Sequence, residues 1–308
     1  MNFKLESKQL ALDLSLSKSS IEFSEVESEE IEIEFTGLRK KTAEEVFTIS
    51  FRNDRLVIKE RSSKRSPMFD SFFNSGWSSD LAVKIPTGTS ISGSVSTMNG
   101  DIMAGKLDFS GSIKTMAGKI KLNELISDDV TLQNVGGSIQ VGKFEGFLKA
   151  RSMAGRISIN EGLFKELIVK GMAGDVSVTG EFDLQSDGEI STMSGGVHLN
   201  ITEYNGDSSI MVSTLSGTTD VIGDYPDDAV QIKRRMPFFK NHPFKSFFPN
   251  MKSACSSFFT SSDDDDIEVE TETVKEDENV KLILEMLSQG KITADEAEKL
   301  IKALGKND

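Results

Sequence analysis

The 308-residue sequence contains a single cysteine, Cys255, so an internal disulfide framework is excluded and nothing points to an oxidising compartment. Its two histidines, His198 and His242, lie far apart in the sequence, which argues against a Ser-His-Asp triad and against a histidine-rich metal site. No run of 18 apolar residues occurs, and residues 1–18 lack the apolar core of a signal peptide. We therefore expect a cytoplasmic protein, unless export uses a non-standard route.

Proline is scarce, with six residues, whereas glycine is common, with 25. Seven of these glycines end a short repeated phrase made of an apolar residue, a small residue and glycine. Successive phrases begin 18 to 22 residues apart, and such a fixed period is typical of a solenoid, in which each unit packs on its neighbours. The phrases begin at Met98, Met116, Val135, Met153, Met172, Met193 and Leu215.

Each repeat contains two short strands and no space for a helix. After Gly118 and Gly155, apolar and polar residues alternate, which indicates a strand with one buried face, and a second apolar run precedes the next glycine. The glycine suits a crowded corner between the strands. We expect parallel coils, with the methionines filling one interior column and the following Ile or Val residues another. A meander of antiparallel hairpins is the alternative, although it would favour Asn-Gly or Asp-Gly turns.

The pattern divides the chain into three parts. Residues 1–85 contain alternating segments that predict N-terminal capping strands, and residues 86–274 predict an all-β, parallel β-solenoid of about seven coils. Residues 275–308 combine an acidic linker with two amphipathic helices that form a hairpin. Such a short hairpin cannot bury its own apolar stripe, so we expect it to self-associate or to bind a helical partner. The candidate oligomerisation residues are Ile283, Leu284, Leu287, Leu300, Ile301 and Leu304.

The net charge of −14 argues against nucleic acid as a partner, but the charge is uneven. An insertion at residues 233–262 is rich in Phe, Lys and Arg and contains no acidic residue. Aromatic and basic side chains in alternation suit an anionic membrane surface. Two other hypotheses stay open: the phenylalanines plug the solenoid, or they bind a protein. The candidate membrane or partner contacts are Arg234, Arg235, Phe238, Phe239, Lys240, Phe244, Lys245, Phe247 and Phe248.

Repeats such as Thr115-Met116-Ala117-Gly118-Lys119-Ile120 resemble the bacterial adhesin-like β-strand-repeat family, a domain of unknown function. Residues 287–293 with Glu296 resemble a SHOCT-like helical module. The same two modules occur together in cell-envelope-stress proteins of the Lia type, which are linked to responses against antimicrobial peptides. In those proteins the helical module precedes the β domain, whereas here it follows. The resemblance implies no catalytic residue and no cofactor.

These observations favour a non-enzymatic binding or scaffold protein, linked to envelope stress through contact with an anionic membrane or a cationic peptide. Membrane contact would place it peripherally at the inner face of the membrane. The alternative is a carbohydrate-active or polysaccharide-binding β-helix protein, which as an enzyme would require paired carboxylates on neighbouring coils. Asp101 and Asp175 follow repeat glycines, but Lys119, Ser138 and Arg156 occupy the equivalent positions between them, so no acidic stripe is expected.

Overall fold

The computed structural model of the chain describes residues 1–38, 41–61, 79–205 and 208–233. Eighteen strands and one short helix make up this part of the chain, which confirms the predicted all-β solenoid of about seven turns. The predicted C-terminal helical hairpin lies outside the described residues. The N-terminal elements are β1 (Asn2–Lys4), β2 (Gln9–Leu16), β3 (Ser19–Val26), β4 (Glu30–Thr36), α1 (Ala43–Val46), β5 (Phe47–Arg52), β6 (Arg55–Glu60) and β7 (Ser79–Pro86).

The remaining strands form the stacked coils. In the middle of the solenoid one long, bent strand makes a whole coil, whereas towards its C-terminal end each coil is split into two shorter strands. The long strands are β9 (Ile102–Ala117), β10 (Ile120–Gly136), β11 (Ile139–Ala154) and β12 (Ile157–Ala173). Before them, β8 (Ser90–Asn99) pairs with β9 only along the second arm of that coil, while β3 pairs with the start of its first arm. The shorter ones are β13 (Val176–Phe182), β14 (Gly188–Ser194), β15 (Val197–Tyr204), β16 (Ile210–Ser216), β17 (Thr219–Gly223) and β18 (Val230–Lys233).

Neighbouring coils pair in parallel and in register. The backbone N–H of Ile120 donates to the carbonyl of Ser138 at 2.9 Å, and that of Ile139 donates to the carbonyl of Arg156 at the same distance. Strands β9 to β12 pair successively in this way. The antiparallel meander is therefore wrong for the coils. Antiparallel pairs among the described strands occur only near the N-terminus, where β4 pairs with β1 and β7, and β5 with β6.

Each coil has two arms, which meet the next coil at a glycine corner. The first arm begins two residues after the glycine with the predicted buried Ile or Val, and this position is fully buried in every coil from Ile102 to Val197. The second arm contributes a parallel column of buried apolar residues, among them Ile113, Leu132 and Val169. The predicted Ile/Val column is confirmed.

The glycine corners stack so closely that a side chain has no space. A Cβ atom added at Gly137 would overlap the carbonyl oxygen of Gly118, and one added at Gly155 would overlap that of Gly137. Gly174 and Gly195 also have φ angles of 135° and 138°, which L-residues rarely adopt. The repeated glycine thus allows the backbones of neighbouring coils to approach closely, in agreement with the crowded corner predicted from the sequence.

The methionine column lies on the outside of the solenoid, so its predicted interior position is wrong. Met116, Met153 and Met172 are only half-buried, and the residue before each of them points inward instead. This inward position holds Thr115, which is buried, and Ser152, which is also buried. Successive side chains of a strand point to opposite faces. A prediction that is wrong by one residue along the strand therefore assigns the methionines to the core instead of the surface.

Candidate binding surface on the second arm of the coils

Seven apolar side chains form one exterior line along the second arms, which we call the methionine stripe. Its members face outward at equivalent positions of successive coils, because Asn99 pairs with Ala117, and Ala154 with Ala173. With coils stacked at about 4.8 Å, the line is roughly 29 Å long. All members are half-buried except the last, which is exposed. They are Met98, Met116, Val135, Met153, Met172, Met193 and Leu215.

A basic column runs beside the stripe on the same face. Lys114, Arg151 and Lys170 each precede a stripe methionine by two residues, so their side chains leave the same side of the strand. Gln133 occupies the equivalent position in the coil between Lys114 and Arg151. Within the described part of the chain, Lys170 pairs with Glu189 at 2.7 Å, but Lys114 and Arg151 form no ion pair. The centre of this surface therefore combines adaptable thioethers with uncompensated positive charge.

The first arms carry a different pattern, a charge ladder of Lys106, Glu124, Lys143 and Glu161. These residues occupy one register position on four successive coils, so their charges alternate in sign along the solenoid. The ammonium of Lys106 lies 3.1 Å from a carboxylate oxygen of Glu124, and that of Lys143 lies 3.3 Å from Glu161. The hydrogen bond and the charge of Glu124 raise the pKa of Lys106 above its usual range.

A cleft beside this ladder gives little support to catalysis. It encloses about 250 Å³ and is lined by Glu124, Glu145, Glu161 and Glu181, together with Lys143 and Phe144. Two of these carboxylates, Glu124 and Glu161, are engaged by the ladder lysines. Phe144 is buried, and its ring stacks on that of Phe164 at 5.7 Å, so it is not presented as a platform for a sugar ring.

Asp101 and Asp175, considered for the enzymatic alternative, are not brought together. Four coil steps of about 4.8 Å separate them, well beyond the spacing of about 5–9.5 Å that glycoside hydrolysis requires. The Asp101 carboxylate accepts the backbone N–H of Lys119 at 2.7 Å. That of Asp175 accepts the N–H of Gly196 at 2.9 Å and pairs with Arg156 at 3.3 Å. The Gly196 hydrogen bond, aided by Arg156, lowers the pKa of Asp175, so both aspartates tie neighbouring coils together.

Across residues 1–38, 41–61, 79–205 and 208–233, no group of three or more His, Cys, Asp or Glu side chains is placed to hold a metal ion. No helix in this part of the chain has the length and apolarity needed to cross a membrane.

The two sets of site residues predicted from the sequence lie outside the described residues. They are the membrane or partner contacts in residues 234–248 and the oligomerisation residues in residues 283–304. The methionine stripe and the basic column were missed as a surface. Their signal was present in the sequence as a basic residue two positions before a methionine, in Lys114-Thr115-Met116, Arg151-Ser152-Met153 and Lys170-Gly171-Met172.

Stacked parallel coils with a glycine at each corner define the chain as a β-solenoid protein. The Toastrack DUF4097 family matches residues 9–233, most of the chain, and the protein belongs to that family. A SHOCT-like domain matches residues 278–308. Both resemblances inferred from the sequence are thereby confirmed. A comparison with curated proteins finds no match to this sequence.

Proposed function

We propose that the protein is a non-enzymatic binding scaffold of the bacterial envelope-stress type, which contacts an anionic membrane surface through the methionine stripe and the basic column. The observation that carries the proposal is the placement of Lys114 and Arg151 beside a line of half-buried thioethers on one sheet face. Single exposed apolar residues are ordinary on protein surfaces, but a continuous line of them beside positive charge is typical of an interaction site.

The chemistry of this face suits a lipid headgroup layer. Each basic residue near an anionic surface contributes about 1 kcal/mol of attraction, and flexible thioethers adapt to an irregular apolar boundary. The stacked coils supply a rigid platform, because each pairs with the next along both arms, interrupted only by a bulge between the arms. The protein would then lie peripherally on the membrane.

A cationic peptide is the second candidate partner, supported by a different surface. Strands β3 and β4, which both pair with β7, and the loop that joins them carry five glutamates with exposed side chains: Glu22, Glu25, Glu27, Glu29 and Glu34. Within the described residues, one of these five has an ion-pair partner, since Glu29 lies 3.8 Å from Lys4. This concentration of negative charge would attract a basic peptide, and the attraction should weaken as salt is added.

Vesicle sedimentation tests the membrane proposal. The full chain should sediment with phosphatidylglycerol vesicles and not with phosphatidylcholine vesicles, and added salt should weaken the binding without abolishing it. Lys114→Gln combined with Arg151→Gln should release most of the protein. Lys119→Gln combined with Lys121→Gln is the matched control, because it removes the same charge from the exposed first arm of the same solenoid.

Three results would contradict the membrane proposal. The full chain could fail to bind anionic vesicles, it could bind neutral vesicles equally well, or both double variants could lose binding to the same extent. The last result would show that overall charge, and not this face, governs the interaction.

A further inference from the structure

The last coil of the described solenoid is open. Strand β17 is hydrogen-bonded to β15 and strand β18 to β16, and neither has a second neighbour among the described strands. The N-terminal end differs, because antiparallel strands extend the sheet there: β5 pairs with β6, and β4 pairs with β7 and β1. Phe35 stacks on Phe47 with ring centroids 4.8 Å apart, and Phe3 contacts Phe51 at 5.1 Å.

The open end is both apolar and acidic. Three of the five exposed large apolar residues of the described chain belong to it, Leu215 at 53%, Ile222 at 54% and Ile232 at 48% exposure. Residues 215–233 also contain Asp220, Asp224, Asp227 and Asp228, against Lys233 alone as a basic residue. An uncovered parallel edge with apolar side chains is a strong site for pairing and aggregation, so it requires an occupant.

The sequence that follows has the complementary chemistry. Residues 234–259 contain five Lys or Arg, seven Phe and no Asp or Glu. They begin directly after β18, which is itself one of the two open strands, so no linker separates them from the end coil. Because this segment is covalently attached to the end coil, its effective concentration there is far higher than that of a separate molecule. A second copy of the end coil would instead bring four aspartates against four aspartates.

We propose that residues 234–259 of the same chain cover the open C-terminal end of the solenoid, with phenylalanines against Leu215, Ile222 and Ile232 and basic side chains against the aspartates. This inference assigns the aromatic-basic segment to the end of the solenoid. It does not depend on the proposed function, which is carried by Lys114 and Arg151 beside the methionines on the side of the coils. Leu215, the last member of the methionine stripe, is the one residue that the two surfaces share.

Cysteine labelling tests this cap in the full chain. The only native cysteine is first removed by Cys255→Ser, and then a single probe is introduced at the end coil by Ile222→Cys or, as a control, at an exposed first-arm site by Met103→Cys. If the segment covers the end, iodoacetamide should react with the Ile222→Cys probe about tenfold more slowly than with the control, because reaction requires local opening. Adding Phe247→Ser and Phe248→Ser should bring the two rates together, and those changes should also lower the melting temperature.

The other outcomes overturn the cap. Equal labelling of the two probes in the unchanged segment would show that the end is uncovered. Protection that survives the Phe247→Ser and Phe248→Ser changes but disappears on dilution would show that a second copy occupies the end. If these Phe changes abolish vesicle binding while labelling and melting temperature stay the same, the segment contacts lipid instead.

Discussion

The side-chain hydroxyl of Thr115 donates a 3.0 Å hydrogen bond to the carbonyl oxygen of Gly100 on the preceding coil. The same bond recurs along the solenoid, from Asn134 to Gly118 at 2.7 Å, from Thr192 to Gly174 and from Thr214 to Gly195. The series has gaps, since Ser152 has a buried hydroxyl without a partner among the described residues and Gly171 has no side chain. Buried polar side chains thus satisfy the carbonyls of the glycine corners.

Replacing Thr115 by Val should lower the free energy of unfolding by about 1–3 kcal/mol, because the change keeps the shape but removes the donor for a buried carbonyl. Chemical denaturation measures the difference. Ser127→Ala is the control, since the buried Ser127 hydroxyl has no partner among the described residues and its loss should cost little. Equal losses in both variants would contradict a stabilising role for the hydrogen bond.

The adjacent glycines Gly136 and Gly137 should respond very differently to alanine. A methyl group at Gly137 overlaps the Gly118 carbonyl, whereas one at Gly136 meets only the Met116 carbonyl oxygen at an ordinary 3.5 Å. We expect Gly137→Ala to destabilise the solenoid by about 1–3 kcal/mol or more, as overpacking does, and Gly136→Ala to be nearly neutral. Thermal unfolding of both variants decides this, and a silent Gly137→Ala would contradict the close stacking of the corners.

The outward orientation of the methionine stripe can be tested by introducing a charged residue into it. Met153→Asp should leave the protein folded, with a small fall in melting temperature, because the new carboxylate reaches water. Val169→Asp on the same arm of the next coil should unfold it, since Val169 is fully buried and an unpaired buried charge costs several kcal/mol. Circular dichroism at increasing temperature compares the two. An unfolded Met153→Asp protein would restore the interior position that the sequence suggested.

The ionised Asp175 should stabilise the solenoid in a pH-dependent way. Its pKa is lowered in the folded state by the Gly196 N–H and by Arg156, so its contribution is present above the ordinary aspartate pKa of about 4 and is lost as pH falls through the lowered value. Asp175→Ala should therefore melt at a lower temperature than the unchanged protein at pH 7, with the difference shrinking below about pH 4. The exposed Asp128, replaced by Ala, is the control, and a pH-independent difference for Asp175→Ala would contradict the linkage.

Truncation tests whether the C-terminal hairpin self-associates. Removing residues 278–308 should leave the solenoid folded but reduce its association state, if the predicted helical hairpin self-associates. Analytical ultracentrifugation of the full and shortened chains gives the answer. If the full and the shortened chain are both monomers of equal stability, the result would favour a different protein as the partner of the hairpin.

The period of the glycine phrases and the alternation after each glycine were enough to predict parallel coils and the buried Ile/Val column. The register of the second arm was not predictable in the same way. Thr115 and Met116 are adjacent, and hydrophobicity alone favours the methionine for the interior. Threonine is buried there because the carbonyl of Gly100 accepts its hydroxyl, and that acceptor belongs to another coil. The candidate binding surface was missed for the same reason, since its methionines had been assigned to the core.

The alternating signs of Lys106, Glu124, Lys143 and Glu161 limit how this chain can change in length. Deleting a single coil, such as residues 138–155, would remove Lys143 and bring Glu124 directly beside Glu161. Deleting two neighbouring coils would keep opposite charges in contact. Along this stretch the solenoid should therefore tolerate the gain or loss of an even number of coils better than that of an odd number. A local pattern of ion pairs thus restricts the number of coils to steps of two.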